Sequence, residues 1–269
     1  MIGNVFLGAA KYKNEAAGCI DKITSCTQDI DCATPEYFNM TRTLIIFGAG
    51  PGIGNHVAAE FACKGIEHII LLSRNTVRLE KEDAPFVSKS SSSVKVDTLR
   101  IDLADTKSIP DVLKQLDGMT EGEDVEVVFF NAARVKPNDV LGVSVEEIEE
   151  DFKTTNLALY VIAQHYIPKL QHLPKSNSSL KPALLVTNSH LPWDPVPQLL
   201  SLSLVKASQK NMVESFSRAF SDSGVHIGLV YVEGVVAPEN KVLNPKTIAE
   251  RTVAFWEGGE GVGVHIKEE

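Results

Sequence analysis

The run Gly48-Ala49-Gly50-Pro51-Gly52-Ile53-Gly54 constrains the fold more than any other stretch of the chain. It follows a short apolar and β-branched segment, Thr43–Phe47, and opens the segment Ile53–Gly65. There Val57, Ala58, Phe61 and Ala62 recur at helical spacing. Glycines between a strand and a helix let the backbone turn tightly and approach a phosphate closely. The free N–H groups and positive dipole end of the following helix then face the anion. Position 53 is isoleucine, so the spacing is not G-x-G-x-x-G; it is G-x-x-x-G-x-G through Gly48, Gly52 and Gly54.

Downstream, apolar strand runs alternate with helical stretches. Strands are predicted at His68–Leu72, Val94–Ile101, Val125–Phe130, Ala183–Asn188, Val225–Tyr231 and Gly263–Ile266. Helices are predicted at Ser108–Leu116, Leu199–Ser221 and Asn244–Glu257, the last with Asn244 as N-cap and Pro245 in the first helical position. Arg78–Ser92 reads as a helix fraying into a loop, and Val145–Leu170 as one long helical stretch broken near Pro168. Alternating β and α elements with strands apolar on both faces predict an α/β fold: a Rossmann-type, doubly wound parallel sheet in a single domain. Ligands of such sheets bind at the carboxyl ends of the strands.

The end of the second strand selects the ligand. An acidic residue there would grip a ribose 2′-hydroxyl. This chain has Ser73-Arg74-Asn75 instead. The planar fork of Arg74 suits a 2′-phosphate. The expected cofactor is therefore NADP(H) rather than NAD(H), although a strand-end arginine can also be simply solvated.

The formal net charge of -9 argues against nucleic acid and anionic membrane as partners. No apolar run approaches the ~20 residues of a membrane-spanning helix. Cys19, Cys26, Cys32 and Cys63 form no CxxC pair and have no histidine at ligand spacing, so neither a disulfide framework nor a metal site is expected. Residues 1–40 carry Glu15, Asp21, Asp29, Asp31 and Glu36 and no basic region ahead of an apolar stretch. They read as an N-terminal extension before a nucleotide-binding domain at 41–269, and the expected location is the cytoplasm.

The glycine spacing, Asp102-Leu103 after the third strand, Asn131-Ala132-Ala133 after the fourth and Asn156 in the long helix together resemble the short-chain dehydrogenase/reductase family over about residues 41–266. The resemblance implies that Asp102 holds adenine and that Asn131 braces the sheet beside the cofactor. It implies that Asn156 belongs to a proton relay, that Ser189 is the catalytic serine, and that Lys206 binds the nicotinamide ribose. The family's tyrosine, thirteen residues past the serine and four before the lysine, falls on Leu202, which cannot transfer a proton. The usual Pro-Gly and threonine after the sixth strand are replaced by Glu233-Gly234-Val235-Val236-Ala237-Pro238. The resemblance also implies pairing of helices 151–170 and 199–221 between subunits, giving a homodimer or homotetramer.

Other groups near the same strand end are candidates for the missing chemistry. His190 belongs to the residue type most used as a general acid or base, and Asp194 becomes a candidate acid if the fold buries it. Trp193 can stack on a flat substrate or pack on neighbouring loops. Arg134 can pair with Asp194 or with an anionic substrate. Tyr160 can aim a hydroxyl inward or serve packing. The short connection from Pro238 to Asn244 suggests an open site. Three readings follow: an NADPH-dependent reductase of a small carbonyl or imine substrate with an altered proton donor, a repurposed isomerase, cyclase or dehydratase, and a non-catalytic NADP(H)-binding regulator.

Overall fold

A computed structural model describes residues 40–268. The expected extension, with Cys19, Cys26 and Cys32, lies outside the described residues apart from Met40. Strand β1 (Arg42–Phe47) leads through the glycine turn into α1 (Ile53–Cys63) and β2 (His68–Ser73). Then come α2 (Thr76–Arg78), a π-helical turn (Leu79–Asp83), α3 (Ala84–Ser88), β3 (Lys95–Arg100), α4 (Ile109–Met119) and β4 (Asp124–Phe130). Helix α5 (Val145–Phe152) passes through a second π-helical turn (Lys153–Leu157) into α6 (Ala158–Leu170), and α7 (Leu173–Ser176) precedes β5 (Ala183–Ser189). A 3-10 turn (Pro197–Leu199) opens α8 (Leu200–Ala219); β6 (His226–Val232), α9 (Pro245–Gly258) and β7 (Gly263–Ile266) follow.

The seven strands form one parallel sheet in the order β3-β2-β1-β4-β5-β6-β7. Strand order reverses between β1 and β4, which opens a crevice at their carboxyl ends. Side chains alternate between two helical layers. Ile45, Phe47, Val128 and Phe130 join Leu113, Ile162 and Val213 of α4, α6 and α8. Leu44, Ile46, Val127 and Phe129 join Phe61, Val253 and Trp256 of α1 and α9. Burial on both faces is why β4 is a near-continuous apolar run. The doubly wound α/β fold read from the alternation is the fold observed.

One of two expectations about these helices is corrected. The stretch after β2 is helical as far as Ser88 and then passes into a loop, as read from the sequence; Asn75 Oδ1 accepts the Arg78 N–H and starts the helical α2–π–α3 segment at Thr76. The stretch Val145–Leu170 is not broken at Pro168, which lies inside α6 two residues from its end and costs little of the ladder there. The irregularity is instead the π-helical turn carrying Asn156, a geometry common at functional sites. Helix α9 starts as its sequence signals: Asn244 Oδ1 accepts the Thr247 N–H at 2.9 Å and Pro245 opens the helix. Among the described residues no helix is long and apolar enough to cross a membrane, and no group of three or more His, Cys, Asp or Glu can hold a metal ion.

Candidate functional site

The glycine turn is tied to both neighbouring strands. Gly48 and Ala49 donate their N–H groups to Leu72 O at 3.0 and 2.9 Å. Asn131 donates its backbone N–H to Phe47 O at 2.8 Å and its amide Nδ2 to Gly48 O at 3.1 Å. Gly48 has φ +96, and a Cβ there would lie 2.7 Å from Ala132 N. A Cβ on Gly54 would lie 2.9 Å from Gly48 O. These two glycines are demanded by the protein itself. Gly52 is different: a Cβ there meets no atom within 4 Å. It caps α1, and no side chain caps that helix end.

A cleft of about 390 Å³ lies at the carboxyl ends of β1 to β4. Gly48, Ser73, Arg74, Asn75, Asp102, Leu103, Asn131, Ala132, Ala133 and Arg134 of the expected residues line it; Gly50, Gly52, Ile53 and Gly54 belong to the turn beside it. Arg74 is exposed and makes no ion pair among the described residues. Asp102 Oδ1 accepts the Ala104 N–H at 3.1 Å. Arg78 also lines the cleft and was not singled out from the sequence. The only signal for it was a second arginine four residues past Arg74, on a segment read as fraying.

The residues expected to do chemistry do not line this cleft, with the exception of Arg134, expected on the substrate. Asn156 is fully buried and donates Nδ2 to Val205 O at 3.2 Å. Lys206 is buried, and its Nζ donates to Thr187 O at 2.7 Å and Gln209 Oε1 at 3.0 Å. Burial lowers its pKa to about 7. Leu202, 7% exposed, packs with Leu191 and Val205 in a small apolar cluster. Ser189 Oγ accepts the Leu191 N–H at 3.3 Å. His190 is partly buried, and its carbonyl accepts from Trp193 N and Asp194 N, both at 3.0 Å.

Asp194, a candidate acid only if buried, is exposed. Arg134 pairs with Asp151 at 2.7 Å and approaches Glu147 at 3.5 Å, not Asp194, because both acids project from α5 alongside the chain leaving β4. The hydrogen bond to Asp151, with help from its charge, raises the Arg134 pKa against desolvation. Asp151 Oδ2 also accepts from Ser201 Oγ at 2.6 Å, joining α5 to α8 beside Leu202. Trp193 packs edge-on against Tyr231, ring centroids 5.1 Å apart, and against His265 at 5.6 Å; it lines a separate groove near β7. Tyr160 stacks on Phe216 and is half-exposed, the packing role of the two read from the sequence.

Seven parallel strands in this order, with a glycine turn at the β1–α1 junction and a cleft at the switch point, define a Rossmann-type α/β protein. The chain belongs to the short-chain dehydrogenase family, whose model matches residues 42–247. Over 222 residues it is 27% identical to a very-long-chain 3-oxoacyl-CoA reductase of Pyricularia oryzae, covering 78% of this chain and 61% of that protein. It is 24% identical to the uncharacterized oxidoreductase YghA of Escherichia coli, covering 82% of this chain and 71% of the relative. The fold matches a short-chain dehydrogenase from Sphingobium yanoikuyae in complex with NADPH, with TM-score 0.70, 20% identity and coverage of 83% and 87%. An NADH-dependent reductase complexed with NAD matches with TM-score 0.71 and 16% identity, covering 84% of this chain and 94% of that one.

Proposed function

We propose that the chain binds NADP(H) in the cleft and works as an oxidoreductase, reducing a carbonyl or imine of a small organic molecule without a tyrosine as proton donor. The carboxyl end of β2 carries the reading: Ser73-Arg74-Asn75 brings a guanidinium and no carboxylate to the cleft wall. The surrounding residues fit such a cofactor. Gly52 leaves open space in front of the uncapped start of α1, where a pyrophosphate would meet backbone N–H groups. Arg74 would hold the 2′-phosphate and Asp102 the adenine. NADPH, when bound, supplies a hydride.

Leu202 cannot move a proton, so the acid must be another group, with Ser189 and His190 at the β5 end the available candidates. A substrate that already carries its positive charge, such as an iminium, needs no acid at all. Membership of the short-chain dehydrogenase family, the 3-oxoacyl-CoA reductase among its relatives and the NADPH in the Sphingobium structure support this reading. A second reading, a non-catalytic NADP(H)-binding regulator, is favoured by Lys206: its amine is committed to Thr187 and Gln209 inside the protein rather than to the cleft.

Calorimetric titration with NADP+, NADPH and NADH tests the first step. The expected result is micromolar binding of the phosphorylated cofactors, weakened about tenfold or more in Arg74→Ala. No binding of any dinucleotide to the wild type sinks both readings. NADPH consumption across a panel of ketones and cyclic imines then separates reductase from regulator. Substrate conversion without cofactor turnover, lost in His190→Ala, would point instead to a repurposed isomerase, cyclase or dehydratase.

The helices expected to pair between subunits carry exposed apolar side chains: Phe152, Leu157 and Tyr160 around α5–α6, and Leu204 on α8. We expect a dimer or tetramer by light scattering; a clean monomer at micromolar concentration would remove that assignment.

A further inference from the structure

Arg78 occupies a position that the family resemblance did not assign. Its backbone N–H closes the Asn75 cap at 3.0 Å, which starts the helical segment after β2. That turn sends the side chain back across the glycine loop. Nε donates to Asp83 Oδ2 at 2.9 Å, and Nη2 donates to Ala49 O at 2.7 Å and reaches Ser73 Oγ at 3.4 Å. Asp83 is 1% exposed, and its other oxygen accepts from Asn55 Nδ2 of α1 at 2.7 Å. One guanidinium therefore joins the glycine loop, the end of β2 and the π-helical turn, and Asn55 ties the same carboxylate to α1.

Two features turn this brace toward a ligand. Arg78 lines the cleft, and its side chain keeps 29% exposure. Its Nη1 has no hydrogen-bond partner among the described residues, so two N–H donors remain on a guanidinium whose plane is already fixed. Arg74 is exposed and unheld, so engaging it costs side-chain entropy that Arg78 has already lost. The Asp83 carboxylate cancels the net charge of Arg78, which leaves directed hydrogen bonding as its contribution and long-range attraction to Arg74.

We propose that Arg78 is a specificity-determining residue: with Asp83 as its brace, it reads the phosphate on the 2′ position of the adenosine ribose and couples that contact to the shape of the glycine loop. The proposal rests on the cofactor reading above. It adds that discrimination between phosphorylated and unphosphorylated nucleotide depends on Arg78 and not on Arg74 alone.

The test uses the adenosine half alone. Adenosine 2′,5′-bisphosphate and 5′-AMP are titrated calorimetrically into the full chain and into Arg78→Lys, with melting temperatures measured in parallel. The variant keeps the charge but cannot make the three-way contact. The expected result is a preference for the bisphosphate in the wild type that falls about tenfold in Arg78→Lys, as for loss of a charge-assisted hydrogen bond. An unchanged preference in a folded variant overturns the proposal. Hydrogen exchange on the wild type covers a variant that does not fold. Slower exchange over Asn75–Val87 with bisphosphate but not with 5′-AMP is expected, and equal protection by both overturns it. Failure of the cofactor reading looks different: the wild type then binds neither compound.

Discussion

Gly48→Ala is expected to abolish dinucleotide binding and to lower stability by about 3 kcal/mol or more. Two independent penalties meet at this position. The backbone sits at φ +96, where an L side chain is strained. The added methyl would also lie 2.7 Å from Ala132 N and 2.9 Å from the Asn131 carbonyl carbon, and backbone cannot swing aside as a flexible side chain can. Moving residues 131–132 would pull Asn131 Nδ2 from Gly48 O and release the loop from β4. Denaturant unfolding and calorimetry check this, with Gly52→Ala as the contrast. No atom lies within 4 Å of a Cβ at Gly52, so weakened binding there reports approach of the ligand rather than collapse of the loop. Near-wild-type stability and binding in Gly48→Ala would refute the assignment of this turn.

Lys206→Met is expected to change the pH dependence of folding between about pH 7 and 10.5. Burial lowers the amine from 10.5 to about 7, and its partners are a carbonyl and an amide oxygen rather than a carboxylate. Between about pH 7 and 10.5 the unfolded chain therefore binds a proton that the folded chain does not. Wild-type stability rises with pH across that window, and the penalty for the buried charge is fully present below it. The stability difference, wild type minus Lys206→Met, should climb by about 1.4 kcal/mol per pH unit over the middle of the window. The variant should gain ground on the wild type at pH 6. Unfolding curves at pH 6, 7.5, 9 and 10 measure it. Parallel pH profiles for the two proteins would mean that Lys206 reaches solvent or a carboxylate.

The same residue marks how far sequence reasoning reaches. Lys206, Asn156 and Leu202 come from the family resemblance, which says only which residues share a neighbourhood. It does not say that Asn156 Nδ2 ends on Val205 O, 49 positions away, or that Lys206 Nζ ends on Thr187 O, 19 positions away. Arg134 was legible as a residue beside the cleft; its partner was not, since Asp194 and Asp151 are equally plausible in a list of letters. Trp193 was legible as a residue of the β5–α8 connection. Its indole lies toward Tyr231 and His265 because that connection turns at His190, whose carbonyl takes two backbone N–H groups.

By itself, the sequence determined the parallel α/β sheet, the glycine turn, the N-cap of α9 and the cationic end of β2. Those features are local: apolar periodicity, glycines before a helix and an Asn-Pro pair act within a few residues. Tertiary structure alone decided that Arg78 returns to the cleft, that Arg134 is held by Asp151, and that Pro168 leaves its helix intact while the π-helical turn at Asn156 does not. Each depends on which segments the sheet brings together, because a buried polar group takes the partner that the surrounding packing offers it.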